Sequence, residues 1–276
     1  MPGRTEKTGN CGNLATHGRN PAAREEGGCE KTDRAYRSIV ARCNYLASDR
    51  PDIQFATRVC SSGMANPKPE DWARLKRLGR YIAGVPQITY LFEWQRMPKA
   101  VTARAGKAWP EDEKTEIRAQ SDSDWAGNHV TRRSVNGGAI FLGWHLLRSW
   151  SKEQPLIALS SGEAELYAAN FGAQQALGLR SLAQDMEINM KIGLELDASA
   201  AIGILERQGL GKVRHVETNE LWLQEKIRRK EMTVTKIPGR INCADIGTKP
   251  LGADVMKSHL RRMGFRWRGD ANGSDV

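Results

Sequence analysis

Four segments decide the fold: EIRAQSD at 116–122, SVNGGAIFL at 134–142, HLLRSWS at 145–151 and ALSSGEAELYAANFGAQQALGLRSLAQDMEI at 158–188. The first ends in acids, the second is rich in strand formers around a glycine pair, and the third is its short partner, which predicts an antiparallel meander of three strands. In the fourth, Ser160 and Glu163 stand at capping-box spacing, and Leu166, Ala169, Ala173 and Leu177 form a stripe, so a long helix starts there. Downstream, KIGLELD (191–197) and MTVTKIP (232–238) read as strands. ASAAIGILERQG (198–209) and ETNELWLQEKIRRKE (217–231) read as helices, and NCADIGTKPL (242–251) as a polar turn opening a last helix. The order β-β-β-α-β-α-α-β-α is that of an α/β domain over 116–262, followed by a tail at 263–276.

Upstream, QRMPKAVTARAGKAWPEDEKT (95–115) mixes Pro, Gly and charges of both signs without period, which places a linker at 96–115. Residues 31–95 read as helical. Tyr36, Ile39, Val40, Cys43 and Leu46 keep helical spacing up to Arg50-Pro51, Ile53, Phe55, Ala56 and Val59 resume it, and a third helix runs from Pro69 to Gly84-Val85-Pro86 with Trp72, Leu75, Leu78 and Ile82 on one stripe. Residues 1–30 have too few large apolar side chains to offset ordering entropy and are expected to be disordered.

The 276 residues, 39% hydrophobic and 27% charged, have the composition of a soluble globular protein. No run reaches the roughly 18 apolar residues of a membrane helix, and the first twenty residues lack the apolar segment of a secretory signal, so a reducing intracellular compartment is expected. Cys11, Cys29, Cys43, Cys60 and Cys243 never fall at zinc-knuckle or redox-pair spacing and read as free thiols. Lys+Arg exceed Asp+Glu by 42 to 32, a net charge of +10. That excess is compatible with a polyanion partner and equally with a merely solvated basic surface.

Four acids fall where the chain turns or ends: Asp122 closes the first strand, Glu165 lies in the first turns of the capped helix, Asp197 closes the fourth strand, and Asp245 opens the last helix. Strand C-termini and helix N-termini are where side chains converge on a ligand at the edge of a mixed sheet. Clustered carboxylates repel one another and are stable mainly around divalent cations, and hard oxygen donors suit magnesium or manganese. Such a group hydrolyses phosphodiesters.

SDSDWAG (121–127), RRSVNGGAIFLG (132–143) through WSKEQPLIALSSGEAELYA (150–168), LELDASAAI (194–202) and ADIGTKPL (244–251), in that order, resemble the ribonuclease H domain that ends the polyprotein of copia-type LTR retrotransposons. YRSIVARCNYLASDRPDIQFA (36–56) and WARLKRLGRYIAG (72–84) resemble the segment joining reverse transcriptase to that domain. The resemblance implies a ribonuclease H-like mixed five-stranded sheet with flanking helices, preceded by a small helical remnant of the reverse transcriptase. It makes Asp122, Glu165, Asp197 and Asp245 the metal-binding carboxylates. It also implies two Mg2+ (or Mn2+) ions roughly 3.5–4 Å apart, and endonucleolytic hydrolysis of the RNA strand of an RNA·DNA hybrid. The hybrid is the implied partner, with the polymerase part of the same polyprotein a second; no membrane is involved.

Each residue also has a plainer reading. Asp124 reads as a turn acid and Glu163 as half of the cap. Asp197 and Asp245 could each cap the helix that follows them. His215 resembles the family's KHID histidine and reads as satisfied by the backbone; His129 and His145 lack ligand partners. Arg132, Arg133 and Lys152, beside the first hairpins, are candidate phosphate contacts against the commoner solvated role. Ala198, Ser199 and Ala200 stand where the family usually has Asn-Gln-Ser, and Gly178 where Trp is common. No adjacent aspartate pair of a polymerase palm and no integrase zinc motif occurs. A decayed or co-opted fragment that binds nucleic acid without cutting is therefore the rival function.

Overall fold

In the computed structural model, which describes residues 21–92, 115–209, 211 and 221–267, three helices come first: α1 (Pro21–Ala47), α2 (Pro51–Ser61) and α3 (Pro69–Gly84), then a short strand, β1 (Ile88–Tyr90). The second part runs β2 (Thr115–Asp124), β3 (Val135–Leu142), β4 (His145–Glu153), α4 (Ser161–Asp185), β5 (Met190–Leu196), α5 (Ser199–Glu206), α6 (Trp222–Arg228) and β6 (Met232–Lys236). It ends with a one-turn helix α7 (Asp245–Thr248), α8 (Ala253–Arg262) and β7 (Phe265–Trp267). The sheet order is β4-β3-β2-β5-β6, antiparallel through the meander and parallel where helices cross over, so the expected mixed five-stranded sheet is present.

Strand β2 is central, and its alternation separates two layers. Ile117 and Ala119 join the core formed with Leu166, Ala169 and Ala173 of α4 and with Ile192 and Leu194 of β5. On the opposite face, Gln120 and Asp122 meet the 242–248 segment. Each large aliphatic side chain buried there stabilises the fold by about 1.5–3 kcal/mol. The glycine pair in β3 lets both layers come close at one place. A Cβ on Gly138 would overlap the Trp150 indole, and one on Gly137 would lie 2.6 Å from the Thr248 methyl.

Helix α4 starts as its capping spacing predicts: Ser160 Oγ accepts from the Glu163 amide at 3.2 Å. The Glu163 carboxylate reaches one residue further back than a standard box, accepting from the Leu159 amide at 2.9 Å and from the Tyr167 hydroxyl at 2.8 Å.

The helical module has its own core around Tyr36, Val40, Ile53, Leu75 and Leu78. Tyr36 donates to the Cys60 carbonyl at 2.7 Å, and Asp52 accepts both from Arg50, at 2.8 and 2.6 Å, and from the Tyr81 hydroxyl at 2.8 Å. The module docks on the edge of the sheet, where Gln54 donates to the Ser149 carbonyl at 3.3 Å and Arg58 pairs with Glu153 at 3.8 Å.

Several expected boundaries move. Helix α1 begins at Pro21, inside the segment expected to be disordered: Pro suits a first turn, Ala-Ala-Arg-Glu-Glu favours helix, and the turns packed through Tyr36 and Val40 propagate it backward. Residues 1–20 lie outside the described residues. The segment 31–95 is not wholly helical and the tail from 263 is not wholly loose. β1 pairs antiparallel with β7, Tyr90 stacks on Phe265 at 5.0 Å, and the Tyr90 hydroxyl donates to the Leu146 carbonyl at 3.1 Å. Such long-range pairing of three-residue strands has no local signal. The linker lies outside the described residues except Thr115, as do residues 212–220 with His215; of the expected 217–231 helix residues 221–231 are described, and Trp222–Arg228 is helical. Asp245 opens the one-turn α7 and not the last helix, because Pro250 separates α7 from α8. Cys43, Cys60 and Cys243 are buried free thiols. Among the described residues no helix is long and apolar enough to cross a membrane.

Candidate metal centre

The parallel pairing of β2 with β5 brings their C-terminal ends to one edge of the sheet, and with them Asp122 and Asp197, the residue after β5. Helix α4, packed on β2, brings Glu165 to the same edge in its second turn; its Oε1 accepts from the Ser123 amide at 3.3 Å. Asp122, Glu165 and Asp197 each offer a carboxylate oxygen within 4.8 Å of the others.

Asp245 arrives from the opposite layer, on a segment pinned to β2. Asn242 is fully buried and donates to the Ser121 carbonyl at 3.0 Å, while Gln120 accepts from the Cys243 amide at 2.8 Å and donates to Glu195 at 2.8 Å. The pinned turn also supplies two residues that the sequence reading passed over. Thr248, fully buried, donates to Asp122 Oδ2 at 2.6 Å, and Lys249 Nζ lies 2.7 Å from Asp245 Oδ1 and 3.8 Å from Asp122 Oδ2. Their signal was present in ADIGTKPL, since positions three and four after Asp245 share its face of a helical turn.

The electrostatics are those of a group holding more negative charge than it can solvate. Burial, then repulsion from Glu165, pushes the Asp122 carboxyl up to about 8, opposed by Lys249 and the Thr248 hydrogen bond. Burial pushes Glu165 up to about 7, with Asp197 adding to the rise and Ser123 opposing it. Asp197 is raised by burial and then by Asp245. Partial burial disfavours the Lys249 charge, but Asp122, Asp245 and Asp197 outweigh it and hold its pKa above the ordinary value. Hard-oxygen donors this close, Asp122 buried and Glu165 and Asp197 half-buried, are compatible with a divalent metal ion.

The plainer readings fare differently. Neither Asp197 nor Asp245 is a helix cap: α5 takes Ala198 as N-cap and α7 takes Ala244, each without a side-chain cap bond. Asp124 is the last residue of β2, paired with Val135, and its carbonyl also opens the turn by accepting from Gly127. Arg132 and Arg133 are exposed on the β2–β3 loop, and Lys152 of β4 lies over the Phe171 ring at 4.8 Å. These three are not brought among the carboxylates.

No family model matches the chain. Over 232 residues it is 26% identical to the retrovirus-related Pol polyprotein from transposon RE2 of Arabidopsis thaliana, covering 83% of this chain and 15% of that polyprotein. It is 34% identical over 145 residues to the secreted RxLR effector protein 161 of Plasmopara viticola, covering 52% of this chain and 90% of that protein. Of solved structures, LC11 ribonuclease H1 in complex with an RNA/DNA hybrid is similar over 48% of this chain and 93% of that one, with 18% identity and a TM-score of 0.34. The chain thus spans a small part of the length of the transposon polyprotein it matches. By sequence the chain is thus similar, over most of its length, to part of retrovirus-related Pol polyproteins from transposons of Arabidopsis thaliana and Nicotiana tabacum.

Proposed function

We propose that the domain is a metal-dependent endonuclease that hydrolyses the RNA strand of RNA·DNA hybrids, as the ribonuclease H part of a copia-type polyprotein. The observation that carries this reading is the convergence of Asp122, Glu165 and Asp197 within 4.8 Å at the carboxyl edge of the sheet. With Asp245 they form the donor set for Mg2+ or Mn2+, two ions in all. Ions held by these residues would supply an acidified water and neutralisation of charge on the leaving 3′ oxygen.

The chain's own residues do the positioning. The Ser123 amide orients Glu165, and the Thr248 hydroxyl holds one oxygen of Asp122, leaving the other free to coordinate. Because burial and mutual repulsion hold the Asp122 and Glu165 carboxyls above the usual carboxylate range, loading the site at neutral pH would release protons from them. Arg132, Arg133 and Lys152 are the proposed phosphate contacts, and 2′-hydroxyl contacts would select the RNA strand. The partners are the hybrid and the polymerase part of the same polyprotein, inside the cell in cytoplasm, virus-like particle or nucleus.

The uncapped Ala198 beside Asp197 favours the rival, a co-opted fragment that binds without cutting. Incubating a labelled hybrid with the protein in magnesium, alongside Asp122→Asn, separates the two. Metal-dependent cutting of the RNA strand, lost in the variant, is expected. Retention of hybrid without any cleavage would sink the nuclease and leave the rival.

A further inference from the structure

Lys249 is the one residue of the acidic group whose charge has the wrong sign for a metal ligand. Its ammonium lies 2.7 Å from Asp245 Oδ1 and 3.8 Å from Asp122 Oδ2, between two of the carboxylates, while Asp122, Glu165 and Asp197 converge on a neighbouring point. The contact with Asp245 is a close ion pair made to a buried oxygen, Asp245 Oδ1.

The lysine also differs from its neighbours in exposure. The Asp122 side chain is 8% exposed, whereas the Lys249 side chain is 44% exposed and has solvent to retreat into. Its backbone is anchored just outside α7, next to the buried Thr248 that holds Asp122, and only its flexible stem needs to move.

We infer that Lys249 is a tethered counter-ion that fills the Asp122–Asp245 side of the group in the metal-free chain and must withdraw when a divalent ion binds between those two carboxylates. The inference rests on the metal reading above and deepens it: the ion between Asp122, Glu165 and Asp197 enters without displacing the lysine, and the ion on the Asp245 side competes with it. The two ions therefore bind unequally, and Lys249 sets the weaker affinity.

Calorimetric titration of the chain with Mn2+, in the absence of nucleic acid, tests this. In the wild type the second ion should bind more weakly than the first. In Lys249→Met the second constant should tighten about tenfold or more, the order of effect of removing one adjacent charge, with the first changing less. Lys249→Arg, which keeps the charge, should stay close to the wild type and guards against a variant that merely misfolds. A readout independent of binding is the melting temperature in EDTA. It should fall in Lys249→Met, where the carboxylates lose their counter-ion, and recover in Lys249→Met combined with Asp245→Asn. Both Mn2+ constants of Lys249→Met within twofold of wild type would overturn the inference while leaving the nuclease reading intact. Absence of Mn2+ binding in wild type and variants alike would remove the metal reading, and this inference with it.

Discussion

Asp122→Asn should make the metal-free protein more stable at alkaline pH while removing its proposed function. The folded-state pKa of Asp122 is raised from 3.8 to about 8 and that of Glu165 from 4.5 to about 7. Over the window from about 4 to 8 the folded chain binds protons that the unfolded chain has released, so stability falls as pH rises through it. A shift of about four units at Asp122 has a ceiling of about 6 kcal/mol. Part of that is repulsion from Glu165, which the two groups share, so about half, on the order of 3 kcal/mol, is the expected gain in Asp122→Asn at pH 8. For a domain of this size that corresponds to roughly 6–12 °C in melting temperature. Scanning fluorimetry in EDTA between pH 5 and 8.5 should show the wild type losing stability across the window and the variant losing much less. Excess Mn2+ should raise the wild type preferentially. An unchanged pH slope, or a variant less stable than wild type at pH 8, would refute the account of a strained carboxylate group.

Three further substitutions follow from local geometry. A Cβ on Gly178 meets nothing within 4 Å, so Gly178→Ala should stabilise α4 by about 1 kcal/mol in urea unfolding. Ala198→Ser supplies the missing N-cap of α5 and should raise unfolding free energy by about 1 kcal/mol in the same assay. Glu153 accepts from Asn128 at 2.9 Å and Thr131 at 3.1 Å and pairs with Arg58. Glu153→Gln should therefore speed amide exchange across Asn128–Arg133 and weaken hybrid binding, whereas unchanged exchange would detach this network from the loop.

The parts of the fold that were legible have local causes. The meander, the capped α4 and the strand ends at Asp122 and Asp197 follow from alternation, a serine cap and apolar stripes, all readable within ten residues. What escaped depends on contacts far apart in the chain. Ile88–Tyr90 is a strand only because Phe265–Trp267 lies beside it, and the helical module reads as a detached remnant until Gln54 and Arg58 are seen on β4. In the candidate site, carboxylates stood out because acids at element ends are conspicuous. Thr248, Lys249 and Asn242 did not, because a buried hydroxyl, amide or counter-ion looks like ordinary turn chemistry until its partner across the sheet is known.

That difference has a physical consequence for how the site and the fold depend on one another. Gly137 is paired with Asp122 and lies directly under α7, where a Cβ would press on the Thr248 methyl at 2.6 Å. The close approach of α7 is what delivers Thr248, Asp245 and Lys249 to Asp122, and the Asn242 and Gln120 hydrogen bonds keep the segment there against the repulsion of the acids. Stability contributed by the 242–248 segment is thus partly consumed in holding like charges together, and a bound cation would return it. Ligand binding to the folded state alone adds about 2.7 kcal/mol at a hundredfold excess over Kd. Loosening α7 without touching a carboxylate, as Gly137→Ala would, must therefore lower both the affinity for metal and the stabilisation that metal confers. The two losses should stay proportional, because they arise from the same displaced turn.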